Sequence, residues 1–162
     1  MKLIFLRHGI AVEHGVIPGL PDDNRPLTDD GRAELHRNVK RFAKLGIEPD
    51  VVLTSPLPRA RQTAEIVATT LDLKGRLVVV DELRPGCTLE ALAPILQGYE
   101  DKKQVMVVGH EPDFSEMISD LIGGGRLTLK KGGVARVDVP ISVSKLQGQG
   151  ELRYLLTPKQ MK

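Results

Sequence analysis

The chain has 162 residues, 41% of them hydrophobic and 27% charged, which is the composition of a globular protein and the length of one ordinary domain spanning residues 1–162. Its 23 basic and 21 acidic residues leave a net charge of +2, too small to argue for nucleic acid, and 3% aromatic residues with no Trp argue against base stacking. A single cysteine, Cys87, excludes an internal disulfide and a Cys-rich zinc site. No apolar run approaches the ~20 residues of a membrane span, and Leu3 to Leu6 is too short for a signal-peptide core. The expectation is a cytoplasmic protein with neither membrane nor nucleic-acid partners.

In chain order, Leu3-Ile4-Phe5-Leu6 is a continuous apolar run, the pattern of a strand buried on both faces. Arg7-His8-Gly9 follows it directly. The segment from Ile10 to Leu27 has no periodicity and is rich in Gly, Pro and Asp. Long irregular loops in compact domains are usually functional or disordered, and the position of this one after Arg7-His8-Gly9 marks it as a lid or substrate-facing loop. Thr28 can cap a helix running to about Lys44, with Leu35, Val39 and Phe42 as its apolar line and Gly46 as its end. Val51-Val52-Leu53 is a second strand. Ser55 can cap the following helix with Pro56 at its first position, and Ala60, Ala64, Val67 and Leu71 are its buried face.

Leu77-Val78-Val79-Val80 is a third buried strand, followed by Asp81-Glu82. Thr88 can start a helix through Leu89, Leu92 and Leu96, which Pro94 would kink or split. Val105-Met106-Val107-Val108 is a fourth strand, followed by Gly109-His110-Glu111. Asp113 and Glu116 form a variant of the capping box. Phe114, Met117, Ile118, Leu121 and Ile122 mark the helix behind it, and Gly123-Gly124-Gly125 stops it. Val134 to Val139 alternates and pairs with Leu152 to Leu156 as an antiparallel edge. Alternating strands and helices imply an α/β fold, a three-layer αβα sandwich with a mostly parallel central sheet.

In such sheets ligands bind beyond the carboxyl ends of the parallel strands. Two histidines, His8 and His110, and two arginines, Arg7 and Arg59, map to that edge. Two guanidiniums can grip a phosphoryl group by paired hydrogen bonds. One imidazole can attack phosphorus, and the other can donate to a phosphoryl oxygen. Arg59 falls in the first turn of a helix, whose positive end favours an anion. Gly9 lets the backbone approach closely, and Glu111 follows His110 at the same edge. The scheme needs no metal and no cofactor: there is no dense Asp/Asn cluster fit for magnesium, no His-x-x-x-His spacing and no P-loop.

Arg7-His8-Gly9 at the end of the first strand resembles the signature of the histidine phosphatase superfamily, with its phosphoglycerate mutase-like fold. Ser55-Pro56-x-x-Arg59-Ala60-x-Gln62-Thr63-Ala64 resembles that family's second arginine motif, and Gly109-His110 its second histidine motif. The small size, Arg25-Pro26-Leu27-Thr28-x-x-Gly31 and Glu82-Leu83-x-Pro85 point further, to SixA-type phosphohistidine phosphatases. The resemblance runs from residue 2 to about residue 157. It implies that His8 is the nucleophile and that Arg7, Arg59 and His110 form the phosphate pocket. The larger members carry a carboxylate general acid after the third strand. Here Pro85 falls about where that acid would be, and Glu82 is the substitute candidate.

The implied substrate is a phosphohistidine on a signalling protein, such as a phosphotransfer domain. Two alternatives stay open. One is a phosphomonoesterase acting on a small phosphorylated metabolite, with Glu82 as acid. The other is a non-catalytic phosphate-binding module, which would not require the His8 nucleophile. Arg61, His14 and His36 read as solvated side chains.

Overall fold

A computed structural model describes residues 1–140 and 145–162. Among these, the continuous apolar runs become strands β1 (Lys2–Arg7), β2 (Val51–Thr54), β3 (Leu77–Val79) and β4 (Gln104–Gly109), and the alternating C-terminal segments become β5 (Val134–Asp138) and β6 (Glu151–Leu156). They form one sheet in the order β3-β2-β4-β1-β5-β6. β3, β2, β4 and β1 pair in parallel, and β5 and β6 continue the sheet antiparallel from β1.

Successive strand residues point to opposite faces, and each face meets its own pair of helices. Leu3, Phe5, Leu53, Val105 and Val107 pack with α3 (Leu89–Gln97) and α4 (Asp113–Leu121). Ile4, Leu6, Val52, Met106 and Val108 pack with α1 (Asp29–Val39) and α2 (Pro58–Thr70). Burial on both faces is why the central strands carry no polar alternation. The result is the expected αβα sandwich of the phosphoglycerate mutase-like fold. No helix among the described residues is long and apolar enough to cross a membrane.

Several local expectations need correction. β3 is not buried on both faces: it pairs only with β2 at the sheet edge, and Val79 is 49% exposed. α1 stops at Val39, five residues before Lys44, because the bonds tighten to i→i+3 at Arg41 and Phe42. A 3₁₀ turn, Ala43–Leu45, then runs into Gly46, whose φ of 69° ends it. Phe42 still joins the core from this tighter turn. α2 begins at Pro58 rather than Pro56, with Leu57 at the N-cap and no side-chain cap. Pro94 does not split α3 into two elements: the helix runs from Leu89 to Gln97 with Pro94 exposed inside it and Leu89, Leu92 and Leu96 buried. The Asp113/Glu116 capping box does not form: α4 has no side-chain bond from its N-cap, Pro112. Instead, the Glu111 carboxylate accepts from the Ser115 N–H at 3.1 Å, and Asp113 Oδ2 accepts from the Gly86 N–H at 2.8 Å. Thr28 and Thr88 do cap α1 and α3, accepting from Gly31 N and Ala91 N.

Candidate active site

Sheet register brings the site together. β1 and β4 pair Arg7 with Gly109, and the backbone ladder continues one step past the strands: His8 N donates to the Gly109 carbonyl at 3.1 Å. On the other side of β4, Ser55 N donates to the Val108 carbonyl at 3.0 Å. Arg7-His8-Gly9, Ser55 and Gly109-His110 therefore leave the carboxyl ends of three adjacent parallel strands, and α2 adds Arg59 in its first turn. Two glycines make this junction possible by close approach. A Cβ on Gly9 would lie 2.5 Å from Leu35 Cδ1, and one on Gly109 would lie 2.7 Å from Phe114 Cζ.

His8 is 5% exposed, and its Nδ1 lies 2.7 Å from the Gly9 carbonyl. A carbonyl only accepts, so Nδ1 carries the proton and the lone pair of the neutral ring is on Nε2. Burial pushes the His8 pKa down to about 3; the nearby charges of His110, Arg59 and Arg7 push the same way, against the Gly9 bond. His110 lies beside it, with ring centroids 5.5 Å apart. Burial, then Arg59 and Arg7, lower its pKa to about 4. Both rings are therefore neutral at physiological pH. His110 Nε2 is 2.8 Å from Ser55 Oγ, while its Nδ1 is buried and makes no hydrogen bond within the described protein.

The arginines are held by backbone. Arg7 donates through one terminal nitrogen to the Leu129 carbonyl at 2.9 Å. Arg59 donates to the Asp22 carbonyl at 2.9 Å, with Asp22 Oδ2 at 3.5 Å. The Nε of each is buried without a protein partner. Asp22 also accepts from Arg25 Nε at 2.8 Å, so the part of the Ile10–Leu27 loop that meets Arg59 is braced by an ion pair of its own. Gln62 pins the loop's far end by accepting from Leu27 N at 2.9 Å. Thr63 ties the elements to one another: its hydroxyl accepts from Gly9 N at 3.1 Å and donates to the Arg59 carbonyl at 2.7 Å.

Two expected residues are placed differently from these. The Glu111 carboxylate is committed to Ser115, taking its N–H at 3.1 Å and its hydroxyl at 2.5 Å. Ser115 Oγ accepts in turn from Leu129 N at 3.1 Å, and the Leu129 carbonyl is the one that holds Arg7. Glu111 thus reaches the pocket through Arg7's support. Glu82 is exposed on a 3₁₀ turn, Asp81–Leu83, and hydrogen-bonds to none of His8, His110, Arg7 or Arg59. Burial, with Asp113 and Glu82 nearby, raises the Cys87 thiol to about 11, which keeps it protonated and inert.

Residues 3–84 match the family model of the histidine phosphatase superfamily (branch 1). The chain belongs to this superfamily. It is 36% identical to an uncharacterized protein of Picosynechococcus sp., over 98% of both chains. It is 30% identical to the phosphohistidine phosphatase SixA of Escherichia coli K12, over 76% of each. A solved structure of the protein histidine phosphatase SixA complexed with tungstate is similar along the whole of both chains, at 27% identity and a TM-score of 0.86. This histidine phosphatase superfamily member brings Arg7, His8, Gly9, Arg59 and His110 to one place. Sequence reasoning missed the placement of Ser55, Thr63 and Asp22. Ser55 and Thr63 lie inside the Ser55-to-Ala64 motif, so a signal was present for them, whereas nothing in the pattern of the loop singled out Asp22.

Proposed function

We propose that this chain hydrolyses protein phosphohistidine through a phosphoryl intermediate on His8, with no metal or other cofactor. The observation that carries this reading is the His8–Gly9 hydrogen bond in a buried, cationic setting. It presents a neutral imidazole with its Nε2 pair available, which is the state a nucleophile requires.

The Nε2 pair forms a bond to phosphorus as the substrate's P–N bond breaks, and that bond's pair stays on the departing imidazole. With its distal nitrogen protonated, the departing group leaves neutral and needs no acid at the leaving atom. Arg7, Arg59 and His110 donate to the peripheral phosphoryl oxygens, where a loose transition state carries its charge. Water then attacks phosphorus, the P–Nε2 pair returns to His8, and both water protons leave on inorganic phosphate. Phosphomonoester cleavage expels an alkoxide instead, a step for which general acids typically contribute ~10²–10⁴-fold. The exposed Glu82, with Pro85 three residues on, is a poor arrangement for such an acid. Support also comes from the likeness to proteins named as phosphohistidine phosphatases.

The test compares kcat/KM for a phosphohistidine-bearing phosphotransfer domain, an aryl phosphate and an alkyl phosphate, with and without Glu82→Gln. The expected order is phosphohistidine, then aryl, then alkyl, with a modest Glu82→Gln effect on the first. Equal kcat/KM for alkyl phosphate and phosphohistidine, with a large loss for both in Glu82→Gln, would favour a phosphatase of small metabolites.

A further inference from the structure

The Ser55 hydroxyl is fully buried, and two contacts account for it. It lies 3.3 Å from Leu57 N, which can only donate to it, and 2.8 Å from His110 Nε2. His110 is 3% exposed and its Nδ1 has no hydrogen-bond partner in the described protein. Two proton arrangements are available to the neutral ring. If Nε2 carried the proton, Ser55 Oγ would accept twice, and both the serine proton and the Nδ1 lone pair would be buried unmatched. If Nδ1 carries it, the serine proton goes to Nε2, Leu57 N keeps its acceptor, and only the Nδ1–H is left over. Each unmatched buried group costs ~1–3 kcal/mol, so the second arrangement is favoured.

We infer that Ser55 is a positioning residue: by donating to His110 Nε2, it sets the ring as a neutral Nδ1–H donor to the phosphoryl group. This rests on the phosphoryl-transfer reading above, in which the free donor finds an acceptor oxygen. The opposite arrangement would present a lone pair to an anion. The tautomer of His110 follows from the hydrogen bond at the ring's far nitrogen, just as the Gly9 carbonyl sets that of His8 with the free nitrogen reversed. The two histidines are thereby assigned opposite roles in one pocket, His8 with a pair to give at Nε2 and His110 with a proton to share at Nδ1.

The experiment is a long-range ¹H–¹⁵N correlation spectrum of histidine side chains in the wild-type protein at neutral pH, with His110→Gln used to assign the ring. The expected result is a protonated-type shift at His110 Nδ1 and an unprotonated-type shift at Nε2, and a downfield move of the Nδ1 proton on adding vanadate. Ser55→Ala should mix or reverse the pattern and lower kcat for phosphohistidine by about 10-fold or more, with a smaller change in KM. A wild-type His110 protonated at Nε2 overturns the inference, and so does Ser55→Ala with both tautomer and kcat unchanged. The wild-type spectrum needs neither a variant nor turnover. An Nδ1–H His110 in a protein that hydrolyses no phosphohistidine would therefore sink the proposed function and leave the tautomer assignment standing.

Discussion

Acid should unfold this protein through its two buried histidines, and the size of the effect follows from their pKa values. His8 is lowered to about 3 and His110 to about 4, against an ordinary value near 6.5. The unfolded chain takes up a proton at each ring as pH falls through about 6.5, while the folded chain refuses it until the lower value is reached. Stability is therefore complete above about pH 6.5 and is lost progressively toward pH 4 and then 3. At pH 5 each ring costs about 2 kcal/mol relative to pH 8, and about 4 kcal/mol is the upper bound for the pair, because two neighbouring rings do not act independently. That is a large part of the ~5–15 kcal/mol typical of a folded domain. The assay is urea unfolding at pH 8 and pH 5 for the wild type, His8→Gln and His110→Gln. Each variant should lose about 2 kcal/mol less than the wild type across the interval. His14, His36 and the carboxylates are common to all three proteins and cancel in the comparison. Identical pH dependence in the wild type and both variants would refute the burial argument.

His8→Ala should abolish turnover, and brief reaction of the wild type with labelled substrate should trap an acid-labile, base-stable phosphate on His8. Arg7→Ala and Arg59→Ala should each lower kcat/KM by ~10²-fold or more, by analogy with loss of one oxyanion donor, and wild-type activity should survive a strong chelator in a steady-state assay. Gly109→Ala places a Cβ 2.7 Å from the Phe114 ring and should lower stability by ~1–3 kcal/mol in urea unfolding. Thr63→Val leaves the Gly9 N–H without its acceptor and should cost ~1–3 kcal/mol by the same measurement.

The candidate site side chains are legible in the sequence because each one stands at the end of an apolar run or in the first turn of a helix, and a parallel sheet gathers those ends. Arg7, His8 and His110 follow from that rule alone. Ser55 misleads, because a serine before a proline reads as a helix cap until the backbone places Pro58, not Pro56, at the first helical position. Glu111 misleads for a related reason: adjacency to His110 suggests the pocket, but a carboxylate four residues before Ser115 is within reach of a helix's unpaired N–H groups. β3 looks as buried as its neighbours because four apolar residues read alike at a sheet's centre and edge. Which strand lies outermost is a long-range property that no window of sequence contains.

The backbone bonds from His8 to Gly109 and from Ser55 to Val108 have an evolutionary consequence. They weld the candidate site groups to the centre of the sheet, where a one-residue slip would turn every side chain to the wrong face. The Ile10–Leu27 segment carries a different burden: its two ends are anchored by buried Ala11 and Leu27, while Val16 and Ile17 at its middle are 65% and 43% exposed and Asp22 meets Arg59 by polar contacts. The molecule thus divides into a fixed chemical part and an exchangeable outer part. On the proposed reading, sequence drift in the loop would redirect which phosphorylated group reaches the pocket, while the residues at the strand ends beneath it stay as they are.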